Sequence, residues 1–397
     1  MSEPQETPPA AVVTGSPAGS FAWSVLHDRH PALIARVRRA TPYPPEQQHA
    51  LDALSAEIAE GGVIKPLYAR EPGAEAWRSW GPECVGRPWA DVPFLWAESF
   101  FYRKLLAALG YFRAGPWQGI DPFAPFKDAE LAGPKVDEEI AALDRLPDLA
   151  PEEQDAAVLL SSLWGNRADL GFQMSSAARE SGEHAPGLVA DDTSALWRVL
   201  DAARPGTVCV VADNAGPELL PDLVLADHLL RTGRAARVVL HLKPHPYFVS
   251  DATPADALAC LTRLTSPPAP TEAAAALATR LHTALTTSRL TLRAHPFSCA
   301  PLPYTRMPPD LRADFASATL TVMKGDLNYR RLVEDRHWPP TTPFAAATAY
   351  FPGPVAALRT LKSDVVTGLP ADVVSDLDAR GGTWRTSGAY GLVQVRG

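Results

Sequence analysis

The side chains best equipped for chemistry lie in a few short runs. Asp213-Asn214-Ala215-Gly216 follows an apolar, β-rich run at 207–211 and precedes a leucine pattern of helical period, with Leu219, Leu223, Ala226 and Leu230 on one face. Two polar ligand-type side chains thus stand at the carboxyl end of a buried strand, where open α/β sheets place their ligands. Neighbours in a regular strand point to opposite faces, so Asp213 and Asn214 converge on one ion only where the chain has left strand geometry. Gly216 eases that turn. Carboxylate and amide oxygens are hard donors, suited to Mg²⁺ or Mn²⁺ rather than Zn²⁺. Asp251, just ahead of a helix beginning near Pro254, offers a third hard oxygen. Each feature has a plainer reading: Asp-Asn-Ala-Gly as a turn with a helix cap, and Asp251 as an N-cap.

Lys324-Gly325-Asp326-Leu327-Asn328 ends another strand, at 318–323. Backbone N–H groups at a helix start beside an ammonium form a phosphate site. The spacing is not that of a Walker loop, whose lysine follows a longer glycine loop. Lys362, after a strand at 355–361, is either a second phosphate contact or a solvated strand-end lysine. Glu98 and Arg103 interrupt the apolar stripe of a long helix at 91–112. They form either an exposed helical charge pair or a second polar layer facing the strand ends. Asn166 and Arg167, after a helix at 151–164, belong to a turn network or to the lining of the site. His241 and His245 lack a partner at metal-binding helical spacing and read as structural or supporting groups.

The elements that must position these groups change character along the chain. Composition puts a disordered Pro/Ala/Gly/Ser tail at 1–18 and a helical subdomain at 19–185. From 186 to 397 strands alternate with helices, the pattern of a three-layer α/β/α domain with a mostly parallel sheet. Strands are predicted at 207–211, 237–241, 288–293, 318–323 and 355–361. The 397 residues, 46% hydrophobic, can bury a large core. A net charge of −8 argues against a nucleic-acid surface but leaves room for a small anionic substrate held by a local cationic cluster. The acidic, proline-rich start does not read as a signal peptide, and no apolar run reaches membrane-spanning length. Four scattered cysteines fit neither a disulfide scaffold nor a CxxC metal site. A cytoplasmic protein with reduced thiols is expected, with its oligomeric state open.

In order and spacing, these runs resemble the damage-control phosphatase family, specifically its metal-dependent sugar-phosphate phosphatases, also described as acidic-residue methyltransferase-like proteins. The resemblance rests on Asp213-Asn-Ala-Gly with Glu218, Asp251 in Val-Ser-Asp, Lys324-Gly-Asp-Leu-Asn-Tyr-Arg and Arg359-Thr-Leu-Lys. It extends upstream through Trp96-Ala-Glu-Ser-Phe-Phe-Tyr-Arg and Leu163-Trp-Gly-Asn-Arg-Ala-Asp-Leu. It implies a divalent metal (Mn, Mg, Co or Ni) on Asp213, Asn214 and Asp251, and a substrate phosphate held by Lys324 to Asn328 with Lys362. The implied substrates are small phosphorylated metabolites, such as fructose 1-phosphate-type sugar esters. Glu218 matches a position proposed to touch S-adenosylmethionine in the methyltransferase account. Pro217, where an aromatic is common, and Pro221 depart from the pattern without removing a ligand. A carboxyl (glutamate) methyltransferase and a non-catalytic phosphometabolite binder are the alternatives. The single glycine after Asp213 counts against the first, and the intact ligand set against the second.

Overall fold

The apolar runs of the second half form strands whose side chains alternate between two cores, as a period of two requires. The computed structural model describes residues 10–59, 61–165, 187–203, 205–266 and 271–397. Its strands are β1 (Leu188–Asp191), β2 (Gly206–Val211), β3 (Ala235–Leu242), β4 (Leu290–Ala294), β5 (Leu320–Lys324), β6 (Val355–Thr360) and β7 (Gly391–Arg396). They form one seven-stranded sheet in the order β1-β7-β6-β5-β2-β3-β4. Neighbouring strands run parallel except β6 with β7. In β2, Cys209 and Val211 face one core while Val208 and Val210 face the other.

Helices cover both faces. Helices α1 (His30–Ala40), α2 (Pro45–Glu57) and α3 (Phe94–Leu109) share the first core. Helix α3 is buried nearly all round; Pro93 opens it, and Gly110, at φ 83°, closes it short of the expected end at 112. Helix α4 (Ala124–Leu131) leads to α5 (Pro134–Ala142) and α6 (Pro151–Trp164). These last two cross to the second core, beside α7 (Thr193–Ala202), α8 (Leu219–Arg231), α9 (Pro254–Arg263) and α10 (Glu272–Thr286). Helices α11 (Pro309–Ser317) and α12 (Gly325–Leu332) return to the first. The result is a three-layer α/β/α protein. The chain leaves β2 toward one layer and its neighbour β5 toward the other, and a crevice opens at such a reversal.

Three expectations change. Residues 10–18 are not all tail: Val13 is buried, donates to Asp335 O (3.0 Å) and accepts from Phe94 N (2.8 Å). Composition averaged that single anchoring valine away. Among the described residues, the helices of the stretch 19–185 share no core of their own but divide between the two faces. Strands β1 and β7 were not anticipated; β1 is only four residues long, and β7 carries a buried Gln394 whose amide bonds Thr367 O (2.7 Å) and Tyr329 Oη (3.0 Å). All four cysteines are unbridged and buried. No helix among the described residues is long and apolar enough to cross a membrane.

Candidate active site

Backbone hydrogen bonds bring the β2 and β3 loops together. Ala215 N donates to Ser250 O (2.7 Å), and Ala252 N donates to Asp213 O (2.9 Å), so Asn214 and Asp251 face each other across an antiparallel bridge. Asp213 and Asp251 are both buried, at 8% and 2% exposure. The turn has left strand geometry, as convergence required: Asn214 Nδ2 donates to Asp213 Oδ2 (3.2 Å). Neither plainer reading describes these side chains. Thr253, not Asp251, caps α9 in a box with Asp256, and the N-cap of α8 is Glu218, without a side-chain bond. Asp251 Oδ2 instead accepts from Phe248 N (2.8 Å).

The β5–α12 turn presses onto this pair. Gly325 has φ +80°, and a Cβ built there would lie 1.8 Å from Asp213 Oδ2, so only glycine fits. The residues after it hold the turn. Asn328 Nδ2 donates to Ala212 O (3.0 Å) and Lys324 O (2.9 Å), tying α12 to the end of β2. Asp326 accepts from Arg359 Nε (3.0 Å) and Ser363 Oγ (2.9 Å). Burial works to raise its carboxyl, but the Arg359 and Arg330 charges outweigh burial and hold it below the usual range. The side chains of Leu327 and Asn328 are buried, and the Asn328 amide braces the turn.

The two expected phosphate lysines part company. Lys324 Nζ turns into the second core, where Asp222 Oδ1 (2.7 Å) and the carbonyl of Ser162 hold it. The strand pleat explains this, since Met323 already faces the first core and its neighbour must face the second. Lys362 stays open to solvent, 3.4 Å from Glu218 Oε1, which with Asp213 and Asp326 raises its pKa against the opposing effect of burial. Glu98 and Arg103 are both buried and not paired with each other. Glu98 accepts from Arg330 Nη1 (2.8 Å) at α12, whereas Arg103 turns to Glu71 (3.2 Å) and Pro72 O. Asn166 and Arg167 lie outside the described residues. Further groups also gather here. Tyr102 stacks on Phe248 at 4.5 Å, and His245 Nδ1 donates to Pro246 O (2.8 Å) beside Phe112. Lys243 sits one residue past β3, in the kind of strand-end position that flagged Asp213.

The sequence profile described as "Damage-control phosphatase ARMT1-like domain" matches residues 25–377. The chain belongs to the damage-control phosphatase family. It is 28% identical to Damage-control phosphatase ARMT1 of Mus musculus, with 98% of each chain covered. Identity to that of Danio rerio is 29% (95% of this chain, 94% of the relative), and to that of Homo sapiens 26% (98% of each). A DUF89 family protein from Pyrococcus horikoshii of known structure shares 14% identity at a TM-score of 0.45, over 89% of this chain and 94% of its own.

In this damage-control phosphatase, Asp213 is pushed well above the ordinary carboxylate range. Burial is the largest cause, followed by the charges of Glu218 and Asp251, with Lys362 and Lys243 opposing. No three His, Cys, Asp or Glu side chains cluster as a metal site among the described residues. The candidate set is two carboxylates and an amide. That set fits a divalent cation, which would offset the negative charge gathered at Asp213 and favours hard oxygen donors.

Two outcomes follow for the supporting pairs. Lys324→Ala leaves Asp222 buried without its cation and lowers stability by roughly 3–5 kcal/mol in denaturant titrations; a melt like that of the wild type contradicts this placement. Asp326 has a depressed folded pKa, so its contribution is present above the ordinary carboxylate range and fades as pH falls through the depressed value. Asp326→Asn is therefore less stable than the wild type at neutral pH, and the difference narrows below about pH 4. A gap that does not change with pH contradicts the Arg359 pairing.

Proposed function

We propose that this family member is a metal-dependent phosphomonoesterase acting on small phosphorylated metabolites, with sugar phosphates as the leading class. The observation that carries the reading is the contact of Gly325 on Asp213. It sets the start of α12, whose first N–H groups have no intrahelical acceptor, against buried carboxylates suited to a cation. Anion and cation subsites thereby share one crevice.

In this reading Asp213, Asn214 and Asp251 hold the divalent ion, whose chemistry is to offset phosphoryl charge and to acidify water. The backbone at Gly325–Leu327 receives phosphoryl oxygens, aided by the positive end of the helix. Lys362 reaches the same charge from the rim, tethered by Glu218. Asn328, Asp326 and Arg359 keep the turn in place, which matters because preorganised dipoles stabilise a transition state without reorganising during it. Lys324 has no direct part in this scheme.

Chelation should abolish phosphate release from sugar phosphates, and Mn²⁺, Co²⁺, Ni²⁺ or Mg²⁺ should restore it. Asp251→Asn should lower metal affinity and kcat/KM together, the latter on the order of a hundredfold or more. Full turnover in protein shown metal-free by elemental analysis, or metal-independent labelled methyl transfer with no phosphate release from any ester, overturns the reading. Lys362→Ala should lose about ten- to a hundredfold in kcat/KM with an unchanged melting curve. Wild-type kinetics in that variant would make Lys362 a solvated rim lysine.

A further inference from the structure

Buried cations in this protein mostly have carboxylate partners. Arg103, Lys127, Lys324, Arg330 and Arg359 each have one within ion-pair distance. Lys243 and Arg331, buried at 3% and 0% exposure, have none among the described residues, and they meet at one carbonyl. Each guanidinium nitrogen of Arg331 donates to a carbonyl: Nε to Leu302 O (2.9 Å), Nη1 to Ser298 O (3.1 Å) and Nη2 to Phe297 O (2.8 Å). Among the described residues, Lys243 Nζ has only the shared Ser298 O, at 3.2 Å, and the ring of Tyr247, 5.4 Å from Nζ to its centroid. An ammonium has three donors, so two have no partner among the described residues, in a place that excludes bulk water.

The position of Lys243 says what those donors await. Its backbone N–H bonds Ala252 O (2.9 Å), next to Asp251, and its charge acts on Asp213. It therefore stands at the carboxyl end of β3, beside the crevice at β2. A buried ammonium without a counter-ion is unfavourable, and an anion arriving in the crevice supplies one. Arg331 already has every guanidinium nitrogen bonded to a carbonyl. We propose that Lys243 is a phosphoryl-binding residue whose free ammonium donors contact the oxygens of the phosphate in the crevice. The proposal rests on the phosphatase reading for the identity of that anion.

The test uses metal-loaded full-length protein and inorganic phosphate as the probe, by calorimetry, with wild type, Lys243→Met and Lys243→Gln. Phosphate should bind about tenfold or more weakly in both variants, as loss of a charge-assisted contact requires. Metal affinity should hold or tighten, because a nearby positive charge has gone. A folded Lys243→Met or Lys243→Gln protein that binds phosphate like the wild type overturns the proposal. If neither folds, Lys243→Arg identifies the wild-type ζ-ammonium resonance in ¹⁵N-lysine spectra by its disappearance. That resonance should shift when phosphate is added, and a resonance that stays put overturns the assignment. Ester hydrolysis by the wild type with normal phosphate binding in Lys243→Met sinks the lysine alone. Phosphate binding that depends on Lys243, without hydrolysis of any ester, sinks the phosphatase reading and leaves the anion site. A wild type that neither hydrolyses esters nor binds phosphate overturns both.

Discussion

Two carboxylates buried side by side at the ends of parallel strands are the constraint on which the rest of this structure depends. Asp213 and Asp251 gain little from solvent and repel each other, and Glu218 adds to the strain. A protein keeps such a pair only where the surrounding backbone over-determines it. Here the β2 and β3 loops are hydrogen-bonded into one unit, Asn328 ties α12 to the β2 end, and Gly325 closes over Asp213. The site is held together by backbone bonds between the loops and by side-chain bonds of Asn328 and Asp251 to backbone groups.

The surrounding charges divide into two kinds. Some are spent on structure: Lys324 on Asp222, Arg330 on Glu98 and Asp335, Arg359 on Asp326. Others, Lys362 at the rim and Lys243 behind it, oppose the excess negative charge at Asp213 without being locked to it. In the proposed reading, this division is what lets a protein of net charge −8 accept an anion at one place.

Much of the scaffold was legible because hydrophobic period and strand-end punctuation are local signals. Five of the strands, and the placement of Asp213, Asn214 and Asp251 at strand ends ahead of helices, follow from apolar runs broken by Asp, Asn and Gly, whereas the meeting of their loops is what the family resemblance implies. What escaped depended on three-dimensional facing. Lys324 reads as a phosphate ligand from its glycine turn, yet the pleat sends it into the second core, where Asp222, 102 residues away in sequence, receives it. Glu98 and Arg103 look like one charge pair on a helix surface, but tertiary packing buries both and gives them different partners. β7 hides behind a buried glutamine whose bonds come from Thr367 and Tyr329. Lys243 carries a usable local sign, a lysine at a strand end, but its lack of a carboxylate partner is visible only in space.

The central claim is that Asp213, Asn214 and Asp251 form one cation site within the crevice between β2 and β5. Crystals grown with Mn²⁺ and measured across the manganese absorption edge test it most directly. The account predicts an anomalous difference peak in contact with oxygens of all three side chains, absent from crystals of Asp251→Asn. A manganese peak held by other residues, with none at these three under conditions that support turnover, would contradict it.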